Sequence, residues 1–153
     1  MTTNAINDFL ATGVDLVHVM LGANDVIYGV DTNQYKDNLQ NLINQIKNAG
    51  IKHVILSCPT YSTTRDSVQL ATHCDKIKEL VAENSGYVLL GDTQAYDYFK
   101  NNISDIADGV HLTTAGYNKL GEFRADAIKS AIEYQINPVH QRSGSSSHQL
   151  TTS

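Results

Sequence analysis

Two short segments of the chain combine residue types that can move a proton and stabilise negative charge. In Asp108-Gly-Val-His111 a carboxylate precedes an imidazole by three residues. A neutral imidazole accepts a proton near pH 7, and a carboxylate on its other nitrogen fixes the tautomer and stabilises the imidazolium. In Gly22-Ala-Asn24-Asp25 an amide follows a glycine and can donate a hydrogen bond to an oxyanion. The two segments predict proton transfer beside an oxyanion donor.

Both segments also have a purely structural interpretation. Asn24 and Asp25 are residue types that are favoured in turns and at the first turn of a helix, wherever they follow a strand. Asp108 and His111 could form a loop pair that caps the helix after them. The residue types alone leave this alternative open.

The elements that must position these segments alternate between strand and helix. The apolar run 14–21 is rich in valine, which is typical of a strand buried on both faces of a parallel sheet. A strand, a helix and a second strand joined by short returns form the right-handed crossover of such a sheet. The predicted strands are 14–21, 53–57 and 87–90, and the predicted helices are 32–49, 66–84, 93–99 and 114–136, with a helix end at 5–12 and a loop at 26–31.

Two details of these elements concern histidine and cysteine. His18 interrupts the first predicted strand and is expected to be a hydrogen-bonded core or rim residue. The helix 66–84 is expected to bury one side, and the last helix is expected to do the same. The first set is Val68, Ala71, Cys74, Ile77 and Val81, and the second is Tyr117, Leu120, Phe123, Ala127, Ile128, Ala131 and Ile132. Cys58 and Cys74 are expected to be reduced, partly buried thiols.

Composition narrows the class of protein. The chain has 153 residues, of which 41% are hydrophobic and 18% are charged, and 11 basic against 16 acidic residues give a net charge of −5. No Lys/Arg cluster occurs, so neither nucleic acid nor an anionic membrane surface is an expected partner. No apolar run reaches the roughly 20 residues of a membrane span, and no signal-peptide pattern precedes residue 13. We therefore predict a cytoplasmic protein as the sequence stands.

The same patterns predict one domain without a cofactor. Residues 1–137 form the predicted domain, and the polar segment 138–153 is predicted to be a disordered tail, for which a cloning origin is one interpretation. No spacing of Cys, His or acidic residues resembles a metal site. No glycine-rich phosphate loop follows any strand, which makes a nucleotide-binding module the weaker interpretation.

In their order, spacing and context, the Gly22-Ala-Asn24-Asp25 and Asp108-Gly-Val-His111 segments resemble blocks of the SGNH (GDSL-type) hydrolases. The resemblance runs from about residue 5 to residue 136. It implies a flavodoxin-like three-layer α/β/α sandwich with strand order 2-1-3-4-5. It also implies hydrolysis of esters, thioesters or carbohydrate esters through an acyl-enzyme, with a short acyl ester or an acetylated sugar as the expected substrate.

By position, the resemblance gives each matching residue a role. Asn24 corresponds to the asparagine that donates to the oxyanion, and Gly22 to the glycine that allows backbone and substrate to approach closely. Asp108 corresponds to the orienting acid and His111 to the general base. These four residues are the predicted site.

The serine of the family is the missing part. The blocks that carry the nucleophilic serine and a second oxyanion glycine are expected before Gly13, where only twelve residues stand, and the chain contains no Gly-Asp-Ser. Ser57 and Cys58, at the carboxyl end of a strand, are the candidate substitutes, although both could equally be loop and core residues. Thr93, in Gly91-Asp92-Thr93, is a weaker candidate.

The missing blocks predict a truncated, three-stranded domain. In the implied order the absent first strand lies beside residues 14–21, which are left as an apolar edge strand. Such an edge is a template for pairing with another chain, so we expect a homodimer or higher oligomer, joined through Val14 to Leu21. Two functions follow from the sequence: an ester hydrolase with a substitute or upstream serine, or a catalytically inactive oligomeric relative that at most binds a ligand.

Overall fold

The computed structural model describes residues 13–136, and three parallel strands form its sheet. They are β1 (Leu16–Val19), β2 (His53–Leu56) and β3 (Val88–Leu90), hydrogen-bonded in the order β1-β2-β3. Each strand lies within its predicted range and is shorter than that range, with four residues in β1, four in β2 and three in β3. The parallel α/β sheet predicted from the sequence is confirmed.

Within residues 13–136, five α-helices connect and cover these strands. They are α1 (Ala23–Ile27), α2 (Thr32–Asn48), α3 (Ser67–Glu83), α4 (Ala95–Asn101) and α5 (Thr114–Ser130), and α5 continues as a wider π-type turn over Ala131–Ile136. Asp31 and Asp66 begin α2 and α3, because each carboxylate accepts hydrogen bonds from two backbone N–H groups of the first turn. The predicted loop at 26–31 was wrong at its start, since α1 extends to Ile27.

Alternate residues of the strands build two apolar layers. Val54, Leu56 and Val88 pack with the buried sides of α2 and α3. Ile55 and Leu89 point the other way and pack against the C-terminal end of α5 and the turn that continues it. Helices on both faces of a parallel sheet give the three-layer α/β/α arrangement, and a smaller cluster joins α4 to the start of α5.

The predicted buried sides of α3 and α5 need correction. Val68 is 75% exposed, whereas α3 buries Leu70, His73, Cys74, Ile77 and Leu80. The apolar stripe is displaced because His73, a polar residue type, stacks in the core on Tyr35. On α5, Tyr117 and Ile132 are exposed, while Ala131 is fully buried.

Some predictions fall outside the described residues, and others concern membranes and metals. The predicted helix end at 5–12 and the tail 138–153 lie outside residues 13–136. Within that range, no helix is long and apolar enough to cross a bilayer. The same residues contain no group of three or more His, Cys, Asp or Glu side chains placed to hold a metal ion.

Candidate active site

The carboxyl edge of the sheet collects the predicted site residues. Gly22 and Asn24 follow β1, with Asn24 in the first turn of α1, and Ser57 and Cys58 follow β2 directly. The Asp108–His111 loop precedes α5 and hydrogen-bonds to the loop that follows β2. Carboxyl ends of parallel strands are where open α/β folds bind ligands.

Asp108 and His111 form the pair that their spacing predicts. Asp108 Oδ2 lies 2.7 Å from His111 Nδ1, and Oδ1 accepts hydrogen bonds from the backbone N–H groups of His111 at 2.7 Å and Val110 at 3.0 Å. The His111 side chain and these N–H groups hold the pKa of the Asp108 carboxyl well below its usual range. An ionised Asp108 on Nδ1 leaves Nε2 as the proton acceptor of a neutral imidazole. The His111 side chain is 71% exposed, so this nitrogen is accessible to a substrate.

Backbone contacts fix the loop that carries this pair. The carbonyl oxygen of Gly109 accepts hydrogen bonds from Ser62 Oγ at 2.5 Å and Thr63 N at 3.0 Å. Gly109 has a φ of +91°, and a Cβ there would lie 2.5 Å from Thr64 Cγ2, so both conformation and space require glycine. The loop is therefore held against the segment that follows β2.

The N-cap of α5 tests the interpretation that Asp108 caps the last helix. Thr113 Oγ1 accepts the hydrogen bond from Gly116 N and is the N-cap of α5. Asp108 makes no hydrogen bond to α5 within the described residues and instead organises its own loop. The structural alternative, in which Asp108 caps the last helix, is wrong.

The Gly22-to-Asn24 segment lies on a stacked pair of rings. Gly22 has a φ of +123°, and a Cβ there would lie 3.0 Å from Tyr35 Cε2 and 3.1 Å from His73 Nδ1. The Tyr35 and His73 rings stack with centroids 3.8 Å apart, and Tyr35 Oη donates to the carbonyl oxygen of Leu21 at 3.0 Å. Glycine is required because this stack occupies the space of a side chain.

Asn24 is placed as a free amide donor. Its side chain is exposed and makes no hydrogen bond within residues 13–136, so it does not cap α1. Within the same residues, no hydrogen bond joins Asn24 to His111. The fold brings both segments to one edge of the sheet without a contact between the two side chains, which leaves each free for a ligand.

Ser57 has a histidine partner that the sequence did not predict. Ser57 Oγ lies 2.7 Å from His18 Nε2 and accepts a hydrogen bond from Asp92 N at 2.9 Å. The Ser57 side chain is fully buried. Burial holds the pKa of His18 below its ordinary value, and the Arg124 charge acts in the same direction. His18 is the hydrogen-bonded rim residue that was expected.

Arg124 and Asp92 close this buried polar cluster. Arg124 Nη2, from α5, donates to the carbonyl oxygen of Cys58 at 3.0 Å and contacts Met20 Sδ. Arg124 Nε lies 3.6 Å from Asp92 Oδ2, and the two side chains are 11% and 1% exposed. Burial lowers the pKa of Arg124. The guanidinium thus links the ends of β1 and β2 to α5.

Asp92 also begins α4, in place of the residue predicted to do so. Its Oδ1 accepts hydrogen bonds from Gln94 N at 2.7 Å and Ala95 N at 3.2 Å. Thr93 does not cap the helix. A carboxylate that follows a strand by two residues and precedes an apolar helix was the available signal for this role.

Cys58 is buried and does not point to the same partners as Ser57. Its side chain lines a small cavity together with Cys74 of α3. Both cysteines are free, as predicted. The two predicted substitutes for the serine are therefore both engaged inside the fold.

A family comparison covers most of this arrangement. The model of the GDSL-like Lipase/Acylhydrolase family matches residues 2–119, which include all three strands and the segments of Asn24 and Asp108–His111. No curated protein matches the chain. The match ends inside α5, earlier than the extent to residue 136 expected from the sequence.

Proposed function

Since the chain belongs to the GDSL-like lipase/acylhydrolase family, we propose that it hydrolyses a short acyl ester or a carbohydrate acetyl ester at the carboxyl edge of the sheet. His111 is the general base, Asp108 orients it, and Asn24 donates to the oxyanion beside Gly22. The observation that carries the proposal is the 2.7 Å contact of Asp108 Oδ2 with His111 Nδ1, which leaves Nε2 accessible. No cofactor is needed for this chemistry.

The proposed reaction is acyl transfer to a hydroxyl and then to water. His111 Nε2 takes the proton of the nucleophile as it attacks the ester carbonyl carbon, and the Asn24 amide donates to the developing oxyanion. The imidazolium then protonates the departing alcohol. A water activated by His111 releases the acid and restores the nucleophile.

For the nucleophile, Ser57 and Cys58 are the proposed substitutes for the missing serine of the family. Ser57 is the better candidate because its hydroxyl follows β2 at the carboxyl edge of the sheet and is oriented by His18 Nε2, 2.7 Å from Oγ. Attack by Ser57 requires the end of β2 to open, since the side chain is fully buried. This burial also favours the second candidate function, an inactive family member that binds an ester ligand without turning it over.

Hydrolysis of nitrophenyl acetate tests the proposed base and oxyanion donor. We expect His111→Ala and Asn24→Ala each to lower kcat/KM by roughly 10²-fold or more, as the loss of a base or oxyanion donor does. Asp108→Asn is the matched control for hydrolysis by any exposed imidazole, because this variant keeps the His111 imidazole and removes only the carboxylate that orients it. Equal rates in the wild type and all three variants would exclude catalysis at this site.

Covalent labelling separates the two candidate functions. A fluorophosphonate reacts with an activated serine, and mass spectrometry of the adduct identifies the residue. A label on Ser57 that is lost in His18→Ala supports the substitute nucleophile. An unlabelled protein that still binds an ester ligand supports the inactive relative.

For its partners, we propose that the chain forms a homodimer through β1. Within residues 13–136, β1 pairs only with β2, and Met20, Leu21 and Ile27 beside its carboxyl end are 38%, 48% and 51% exposed. An apolar edge strand favours pairing with a second copy. Light scattering after gel filtration should give a dimer that Leu21→Lys weakens. Val68→Lys, at an exposed apolar position on α3, is the control, and a stable monomer at low concentration would contradict the proposal.

A further inference from the structure

The fold brings the two cysteines of the chain together. Cys58 directly follows β2, and Cys74 lies in the middle of α3, sixteen residues further along the chain. Both are free and buried, and both line the same cavity. Nothing in the proposed hydrolysis uses Cys74. The placement of both thiols at one cavity therefore needs its own explanation.

A small surface cavity gives these thiols access to solutes. Cys58 and Cys74 both line a cavity of about 190 Å³, together with Lys78, Asp75, Thr93 and Tyr96 among others. Lys78, whose Nζ pairs with Asp75 Oδ1 at 3.1 Å, brings a positive charge to the cavity that both cysteines line. A cation favours the thiolate, which is the reactive form of cysteine.

The surroundings of the two thiols shift their pKa values in opposite directions. The Cys74 contact holds the pKa of the Cys58 thiol below its ordinary value, and the Lys78 charge acts in the same direction. The Cys58 contact and burial raise the pKa of Cys74. Cys58 is accordingly the attacking sulfur, and Cys74 is the proton donor that later resolves the intermediate.

We propose that Cys58 and Cys74 are a modification site at which a hydroperoxide, such as hydrogen peroxide, forms a reversible intrachain disulfide. The Cys58 sulfur attacks one oxygen of the peroxide, the O–O bond breaks, and a sulfenic acid forms with release of water. The Cys74 sulfur then attacks the Cys58 sulfur, the S–O bond breaks and a second water leaves. Two thiols and one hydrogen peroxide thus give one disulfide and two waters.

The disulfide would form next to the buried polar cluster but does not depend on ester hydrolysis. The backbone N–H of Cys58 donates to the carbonyl oxygen of Asp92, and its carbonyl oxygen accepts from Arg124. A covalent link from Cys58 to α3 therefore ties the end of β2 to a helix. The inference stands whether or not the site turns over an ester.

The experiment is peroxide treatment of the full chain under native conditions, followed by alkylation and peptide mapping. We expect both thiols to lose reactivity together, and a cross-linked pair of tryptic peptides, 53–65 and 66–76, to appear. Dithiothreitol should restore both alkylation sites. Non-reducing electrophoresis should show a monomer band, because the link lies within one chain.

Two variants keep the test specific. Cys74→Ser should not form the intrachain link. Peroxide should then convert Cys58 to the sulfenic acid or a further oxidised acid, and the linked peptide pair should not appear. Lys78→Gln should slow the loss of both thiols several-fold, without changing which peptides are linked. Oxygen added to the wild type without a link, a disulfide between chains only, or thiols that resist peroxide which oxidises glutathione would each overturn the proposal.

Discussion

Two histidines of this chain lie at the same distance from a side-chain oxygen atom, one in an exposed loop and the other beside a buried hydroxyl. His111 Nδ1 lies 2.7 Å from a carboxylate in an exposed loop, and His18 Nε2 lies 2.7 Å from a hydroxyl that is fully buried. The carboxylate of Asp108 fixes the tautomer and orientation of the His111 imidazole. Burial and Arg124 lower the pKa of the second. The comparison shows that proximity alone does not make a catalytic pair; access and the charge of the partner decide what each imidazole can do.

The surroundings of the two pairs also differ in how much of the fold depends on them. Ser57, Asp92 and Arg124 connect β2, the start of α4 and α5 in one buried network. The Asp108–His111 loop forms hydrogen bonds within itself and, through Gly109, to the loop that follows β2. We therefore expect changes at the Ser57–His18 pair to lower stability more than changes at the Asp108–His111 pair, which should lower activity with little loss of stability.

The largest effect on stability is expected from Gly91→Ala, beside the buried pair. A Cβ at residue 91 would overlap Ser57 Oγ and lie 2.9 Å from the carbonyl oxygen of Leu56. Backbone cannot give way easily, so we expect a loss of about 3 kcal/mol in the free energy of unfolding. Denaturant unfolding measures it.

Gly109→Ala, in the exposed loop, is the matched comparison. It meets the side chains of Thr63 and Thr64, which can move, although the positive φ adds strain. We expect a loss of about 1–2 kcal/mol. A Gly91→Ala protein that is as stable as the wild type, or less affected than Gly109→Ala, would contradict the difference between the two regions.

A smaller effect follows from removing one partner of each pair. Ser57→Ala leaves the buried N–H of Asp92 without its acceptor and His18 without its partner, which should cost about 2 kcal/mol. Asp108→Asn changes an exposed, solvent-screened pair and should lower the free energy of unfolding by less than Ser57→Ala does. Unfolding curves and ester hydrolysis on the same samples measure both consequences. Similar losses of stability in the two variants would contradict the expected difference between the buried Ser57–His18 pair and the exposed Asp108–His111 pair.

What the sequence could predict of these pairs depends on the distance along the chain. Asp108 and His111 are three residues apart in one loop, so their contact follows from local spacing. Ser57 and His18 are 39 residues apart, and their contact depends on the register that sets His18 opposite Ile55 in the parallel sheet. A strand pattern predicts that a sheet forms but not which side chains meet across it.

The helices show the same difference between features that local sequence determines and features that depend on tertiary contacts. The bounds of α2 and α3 lie within one residue of their predicted ends, because Asp31, Asp66 and the apolar periodicity are local signals. The predicted buried side of α3 was correct at Cys74 and Ile77 but wrong at Val68. It did not include His73, which stacks on Tyr35 in a contact between two helices. The Cys58–Cys74 and Arg124–Asp92 contacts are likewise tertiary and leave no mark in the local sequence.

The smallest expected effect concerns the response of the buried pair to acid. Because the pKa of His18 in the folded chain is lower than its ordinary value of about 6.5, the unfolded chain binds a proton that the folded chain does not. Stability from this group is therefore fully present above about pH 6.5 and is lost as the pH falls through the lowered value. His73, whose pKa burial also lowers, has the same sign.

His18→Gln isolates the contribution of His18, since His73 is present in both proteins and glutamine can still hydrogen-bond to Ser57. We expect the wild type to lose more stability than His18→Gln between pH 7.5 and pH 5.5, measured by denaturant unfolding at each pH. A ring-proton NMR titration of the folded protein should place the midpoint of His18 below the ordinary value. Parallel stability profiles of the two proteins, or a midpoint above the ordinary value, would mean that the His18–Ser57 pair is accessible to solvent and charge, like the pair at His111.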